Sequence, residues 1–322
     1  MVVTYIGQIL LENTTWEDTM LHSELVDKFL RQCKYQKDLD EKTIKAYGID
    51  LRQFSTGLNL TNEEITRNSI MEYISYLNCH YKPRTVKRKI ASVKVFCNYL
   101  YDEGLLENNP FLGLRLKLPP SKTLPRTIPI RVIESMLREA HLRITSAATE
   151  RKMVVALREA AVMEMLFATG MRVSELCGLL SRDIDLEDGL VRIHGKGRKE
   201  RIVEIENAEV LNTLREYKMR EKATEHVHFF LNTRGRPLSD QSVRIILQKY
   251  EKLANTPLHI TPHMFRHSFA TMLLDADVDL RYIQQLLGHS SISTTQIYTY
   301  VSSAKLKSIL ATKHPRNNIT IK

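Results

Sequence analysis

At 322 residues the chain exceeds one ordinary domain of about 100–200 residues and points to two. Its 43% hydrophobic and 26% charged residues, with 12 Gly and 10 Pro, exclude collagen-like, low-complexity and wholly disordered chains. Forty-seven Lys+Arg over 37 Asp+Glu leave a formal charge of +10, which favours a polyanionic partner without separating DNA, RNA and anionic lipid.

Residues 1–20 read as a leader whose apolar run lacks a basic flank and a small-residue cleavage site, so no export signal is expected. No apolar run approaches the ~18 residues of a membrane span, so a cytoplasmic protein with no membrane partner is expected. The four cysteines are scattered without a C-x-x-C pair and are expected to be reduced and buried.

Helical spacing begins with Leu25, Phe29, Ile44, Tyr47, Leu51 and Phe54, and resumes at Ile70 to Tyr76. A further helix after Pro83 carries Val86, Ile90, Val93, Cys97 and Leu100 on one stripe. Its other side is basic: Lys82, Arg84, Lys87, Arg88, Lys89 and Lys94 crowd together, more densely than solvation requires. An ordinary lysine-rich surface is the plain alternative. Residues 21–107 thus form an N-terminal helical domain, with Arg84, Lys87, Arg88 and Lys94 as candidate DNA-binding residues.

Residues 108–130 hold five prolines, four Lys/Arg and no acid, the pattern of an extended basic linker. Residues 131–322 form the second domain. Helices are expected at about 130–141 and 149–168, the latter apolar all round and therefore central. A hairpin follows, with strands at 190–194 and 201–205 and a cationic turn, Gly195-Lys196-Gly197-Arg198. Arg198 is a further candidate DNA contact. Beyond residue 208 the chain reads as mostly helical.

Candidate chemistry concentrates in this second part. Thr261-Pro262 is a helix start, with Thr as cap and Pro at the first position, and it sets His263 and Arg266 on one face near an anion-favouring terminus. A structural salt bridge is the plain alternative for that pair. Arg172 follows an apolar helix and Gly170, with Glu175 as its local partner. The simple reading is an ion pair; the functional one leaves part of the guanidinium for an external anion. Gly288 caps a short helix over 279–287, so His289 emerges at its end, and Tyr298 follows nine residues later.

Each site is ambiguous alone. Together Arg172, Lys196, His263, Arg266, His289 and Tyr298 supply what phosphodiester cleavage without a metal requires. Arginines and a histidine offset charge on non-bridging oxygens, a tyrosine attacks, and a lysine protonates the departing oxygen.

ATGMRVSELCGL, GKGRKER, HMFRHSFAT and LLGHSSISTTQIYTY resemble, in order, the arginine, lysine, His-x-x-Arg and histidine–tyrosine motifs of the tyrosine recombinases, or phage integrase family, closest to its Xer-like branch. The resemblance covers nearly the whole chain. It implies a mainly α fold with a small β-hairpin or sheet element, an α+β catalytic domain, and a two-domain C-shaped DNA clamp whose N-terminal domain is SAM-like. It implies that Tyr298 forms a 3′-phosphotyrosyl link, that Arg172, Arg266 and His289 hold the phosphate, and that Lys196 protonates the 5′-oxygen. His263 would assist proton transfer and Glu175 would orient Arg172.

No cofactor, metal or ATP is implied. The implied partner is double-stranded DNA with inverted-repeat core sites, bound by a homotetramer that is monomeric or weakly associated when free. A C-terminal helix would be exchanged between protomers. Tyr300 competes with Tyr298 as nucleophile and is disfavoured by the nine-residue spacing from His289. The leader and a longer 138–156 stretch favour a mobile-element integrase or resolvase over housekeeping Xer resolution of chromosome dimers.

Two other readings compete. A metal-dependent nuclease would use His226, His228, His259 and His263 with Asp183 and Asp185. A non-catalytic DNA-binding or architectural protein would bind without covalent attachment.

Overall fold

The computed structural model describes residues 16–58, 65–116, 126–195, 200–221 and 227–288. These fall into two units, one within residues 1–122 and one within 123–322.

The first unit is built from α1 (Trp16–Tyr35), α2 (Glu41–Leu58), α3 (Arg67–His80) and α4 (Pro83–Asp102). α1 begins inside the stretch expected as a leader. Thr66 and Ser69 close a reciprocal capping box on α3, and Pro83 opens α4 at a position that needs no amide donor. The expected apolar stripes meet in one core. Phe29 is fully buried and packs edge-on to Phe96 at a centroid distance of 5.4 Å, with Leu51, Phe54, Val93 and Leu100 around them. Each such side chain contributes about 1.5–3 kcal/mol by leaving water.

Cys33 and Cys97 lie in this core, and burial pushes the Cys97 thiol up to about 12. Cys79 is exposed, which corrects the expectation of four buried thiols: the stripe of α3 runs through Ile70, Tyr73, Ile74 and Leu77, and residue 79 falls off it.

The expected linker is narrower in the structure. Phe111 is buried in the first core, and Leu114 and Leu116 pack on it. At its other end Ile128 is buried in the second core, its amide donating to Ser268 Oγ at 2.7 Å. Apolar residues at both ends of the proline-rich stretch thus join the cores they adjoin.

The second unit centres on α6 (Glu150–Thr169), flanked in sequence by α5 (Ile130–Thr145) and the short α7 (Val173–Cys177). Thr149 caps α6 by accepting from Lys152, and Gly170 ends it in the left-handed region at φ 59°. Leu157, Ala160, Ala161, Met163, Met165 and Leu166 are fully buried, so the helix does run through the core. Three antiparallel strands follow in the order β1 (Ile184–Asp185), β2 (Leu190–His194) and β3 (Glu200–Glu204), with Val191 opposite Val203. The hairpin matches its sequence pattern. β1 was not expected, because two residues carry no detectable alternation.

Next come α8 (Ala208–Arg220), α9 (Asp240–Leu253), α10 (Pro262–Asp275) and α11 (Leu280–Leu287). The segment from His228 makes isolated bridges, His228 to Leu180 and Leu231 to Pro237, and no regular strand. Phe229 and Phe230 are both buried there, which a regular strand facing one core would not allow. Asp279 caps α11 and Gly288 closes it at φ 64°. Ala270, Ile283 and Leu287 form a small apolar cluster between α10 and α11. Among the described residues no helix is long and apolar enough to cross a membrane.

Candidate active site and nucleic-acid interface

The loop from α6 to α7 is shaped by its small residues. Thr169 Oγ1 donates to Met165 O at 2.6 Å and accepts from the Met171 amide. At Gly170 an added Cβ would lie 2.4 Å from the Phe269 ring, so only glycine fits the positive φ and the close approach. The chain then enters α7 with Arg172 at the cap position. Glu175 reaches back, accepting from the Arg172 amide at 2.8 Å and from Arg172 Nη1 at 2.7 Å.

The expected Arg172–Glu175 pair therefore forms, but Glu175 has a second and stronger partner. Arg201, on β3, places Nη1 3.1 Å from Oε1 and Nη2 2.8 Å from Oε2. Burial alone would raise the Glu175 pKa; the hydrogen bonds from Arg201 and Arg172 outweigh it and hold the carboxyl below its ordinary value. Arg201 Nε also donates to Leu286 O at 2.8 Å.

Arg266, on the second turn of α10, is buried and uses Nη1 on Gly170 O at 2.9 Å and Nη2 on Leu287 O at 2.7 Å. Two arginines from different elements thus satisfy consecutive carbonyls at the end of α11, where a helix leaves acceptors unpaired and its dipole favours cations. Thr261 occupies the cap position of α10, but its side chain makes no cap hydrogen bond, so Pro262 and the backbone set that start. His263 is exposed on the first turn whereas Arg266 is buried, so the two differ in environment despite their spacing. His267, which the sequence did not single out, has its pKa pulled down to about 4, by burial first and then by the electrostatic influence of His263 and Arg266.

The structure therefore brings Arg172, Glu175 and Arg266 to the point where α11 ends at Gly288. Lys196, Arg198, His289, Tyr298 and the competing Tyr300 lie outside the described residues. Arg201 is the residue that sequence reasoning missed. Its signal was present: it shares the inward register of Val203 and Ile205, where an arginine requires a buried acceptor.

On the first unit, Arg84, Lys87, Arg88 and Lys94 are exposed along one side of α4. Lys89 departs from the expected basic face. It is buried and donates to Asp50 Oδ1 at 3.3 Å and to Gln53, while Arg88 and Ser92 also donate to Asp50. Position 89 turns toward α2, beside Ile90, and its charge is offset there. Asp50→Ala is expected to destabilise the unit by about 3–5 kcal/mol, because it strands the Lys89 ammonium without its counter-charge; a denaturant titration of the variant checks this.

The residues of the metal-nuclease reading do not converge. Asp183 bonds His194 Nε2 at 3.0 Å, Asp185 accepts from the amides of Glu187 and Asp188, and His259 lies beside Glu251. His226 is outside the described residues, among which no group of three His, Cys, Asp or Glu side chains could hold a metal.

Comparison with known proteins shows the family and the fold. Residues 134–305 match the model of the phage integrase family, and residues 26–104 that of the phage integrase N-terminal SAM-like domain. A tyrosine recombinase of Agathobacter rectalis is 48% identical over 91% of this chain and 97% of its own length. The tyrosine recombinase XerD of Halalkalibacterium halodurans is 37% identical over 90% and 97%. Among solved structures, the XerH recombinase bound to a palindromic difH substrate superposes with a TM-score of 0.72 at 23% identity, covering 90% of this chain and 84% of that one. A lambda integrase dimer bound to a core site gives 0.64 at 19% identity, covering 84% and 96%. At these identities the two structures attest the shared fold.

Proposed function

The chain belongs to the phage integrase family and is a tyrosine recombinase, and from that premise we propose how its residues divide the work of site-specific DNA strand exchange. The Tyr298 phenolic oxygen attacks the scissile phosphorus, forming the 3′-phosphotyrosyl bond as the bond to the 5′-oxygen breaks. Lys196 gives that oxygen its proton, and His263 assists removal of the phenolic proton. Arg172, Arg266 and His289 offset the charge that builds on the non-bridging oxygens. One phosphoester replaces another, so no ATP is consumed, and protonation by Lys196 replaces metal activation of the leaving group.

The observation that carries this reading is that Arg266 donates both to Gly170 O, two residues before Arg172, and to Leu287 O, two residues before His289. Glu175, which orients Arg172, is also paired with Arg201, and Arg266 donates to the carbonyls of Gly170 and Leu287. Two guanidinium groups on the one Glu175 carboxylate leave the Arg172–Glu175–Arg201 group net positive, which suits a phosphate.

In the first unit the exposed Arg84, Lys87, Arg88 and Lys94 fit the phosphates of a duplex, and Arg198 on the hairpin turn adds a further contact. We take residues 21–107 as the core-DNA-binding domain and 131–322 as the catalytic domain. The substrate is double-stranded DNA with inverted-repeat core sites, on which four protomers assemble. Integration, excision or resolution of a mobile element is the favoured role. The XerC and XerD names of relatives 35–37% identical support Xer resolution as the second reading.

The test is an SDS-resistant covalent-complex assay in EDTA, with nicked duplexes tiled across the DNA flanking the gene. A covalent band unaffected by the chelator is expected, and its loss in EDTA would return the metal-dependent reading. Tight, salt-sensitive binding with no band on any duplex would favour the non-catalytic alternative. A band at the ends of a mobile element supports the first role, and a band only at a site elsewhere in the chromosome supports the second.

A further inference from the structure

We infer that Arg201 is a positioning residue of the active site, and that its task is to keep the phosphate-holding cluster cationic by taking the Glu175 carboxylate for itself. The inference rests on the reading of Arg172 as a phosphate-holding group.

The geometry is asymmetric. Arg201 meets Glu175 through two parallel hydrogen bonds, Nη1 to Oε1 and Nη2 to Oε2, the strongest arrangement for this ion pair. The Arg172 guanidinium meets the same carboxylate through Nη1 alone, its other contact to Glu175 being through the backbone amide. Arg201 is nearly buried, with 9% of its side chain exposed, whereas Arg172 retains 35%. Two guanidinium groups and one carboxylate leave a net charge of +1, and the exposed member of the trio is Arg172.

Without Arg201 the balance changes. The carboxylate would lose two of its donors, and Arg172, already in contact, can replace them by turning its fork onto both oxygens. The cluster would then sum to zero, and Arg172 would be held by an internal anion where an external phosphate is to bind. Arg201 thus acts on the phosphate through Glu175 and Arg172.

Arg201 also ties three parts of the site together. It sits on β3, the strand that follows the turn carrying Lys196; it bonds Glu175 on α7; and its Nε holds Leu286 O on α11, three residues before His289. Gly288 permits this approach: a Cβ there would lie 3.1 Å from Arg201 Cδ and Nη1, at a φ of 64° that itself favours glycine.

The experiment compares covalent-complex formation by the full-length wild type, Arg172→Ala, Arg201→Ala, Arg201→Lys and the double variant Arg201→Ala/Glu175→Gln, on a nicked duplex that the wild type cleaves. Arg201→Ala is expected to form the complex at least about 100-fold more slowly at unchanged duplex affinity, the scale of one lost transition-state donor. Adding Glu175→Gln removes the carboxylate charge, restores the net +1, and is expected to recover about tenfold or more. Arg201→Lys, which keeps the charge but not the fork, should fall between wild type and Arg201→Ala.

A second readout uses a duplex whose scissile linkage is a methylphosphonate, in which a neutral methyl replaces one charged oxygen. The deficit of Arg201→Ala relative to wild type is expected to shrink on it, because less charge has to be offset. A purely structural role predicts the opposite on both counts: the double variant would be as slow as Arg201→Ala or slower, and the deficit would be equal on the two linkages. Either result overturns the inference, as does cleavage by Arg201→Ala within about twofold of wild type. If Arg201→Ala does not fold, the same comparison is made with Arg201→Lys and Arg201→Lys/Glu175→Gln. Undiminished cleavage by Arg172→Ala, or no cleavage by wild type on any tiled duplex, would instead defeat the site reading on which the inference stands.

Discussion

Tyr298→Phe should abolish covalent attachment to DNA while duplex binding stays nearly unchanged. The substitution removes one oxygen and with it the proposed nucleophile. A phenol has a pKa near 10 in water, so at neutral pH attack depends on removal of its proton within the site. Binding draws mainly on Lys and Arg contacts to phosphates spread over the footprint, to which one hydroxyl contributes little. The check is the SDS-resistant band on a nicked duplex, with a mobility-shift titration in parallel and Tyr300→Phe as companion. A band that survives in Tyr298→Phe and vanishes in Tyr300→Phe would move the nucleophile two residues along the chain.

The second large effect separates the two arginines. Arg172→Ala and Arg266→Ala are each expected to slow cleavage by about 10³- to 10⁵-fold, the range for removing an arginine that stabilises a phosphoryl transition state. Their effects on stability should differ. Arg266 is buried and donates to Gly170 O and Leu287 O, so its removal orphans two buried carbonyls at about 1–3 kcal/mol each. Arg172 is about a third exposed and shares Glu175 with Arg201, which continues to satisfy the carboxylate when Arg172 is gone. Arg172→Ala should therefore melt close to wild type and Arg266→Ala well below it. Single-turnover cleavage with thermal melts of the same preparations checks both statements. Cleavage near the wild-type rate in either variant would remove that residue from the phosphate clamp.

The two variants also mark how far the sequence could be read. That Arg172 would need Glu175 was legible, because three residues at a helix start place a carboxylate beside the preceding amide and side chain. That Arg266 would be buried under the end of α11 was not, since its acceptors lie 96 and 21 residues away in the chain. Lys89 shows the same limit from the other side. Its neighbours in sequence are basic and exposed, and only the packing of α4 on α2 turns it onto Asp50, 39 residues earlier.

By itself the sequence determined the features that depend on short spacing. These are the apolar stripes of the helices, the glycines at 170 and 288 that end them, the two strands of the hairpin to within a residue, and the order of the four family motifs. They are legible because backbone sterics and helical or strand periodicity act over a few residues, so cause and consequence sit in one short stretch. Tertiary structure alone decided which charged groups meet one another inside the fold. Glu175 is shared with an arginine 26 residues away, and the end of α11 is held by arginines from β3 and α10. A buried charge or carbonyl is satisfied by whichever donor the packing brings within hydrogen-bond reach, and no local spacing encodes that choice.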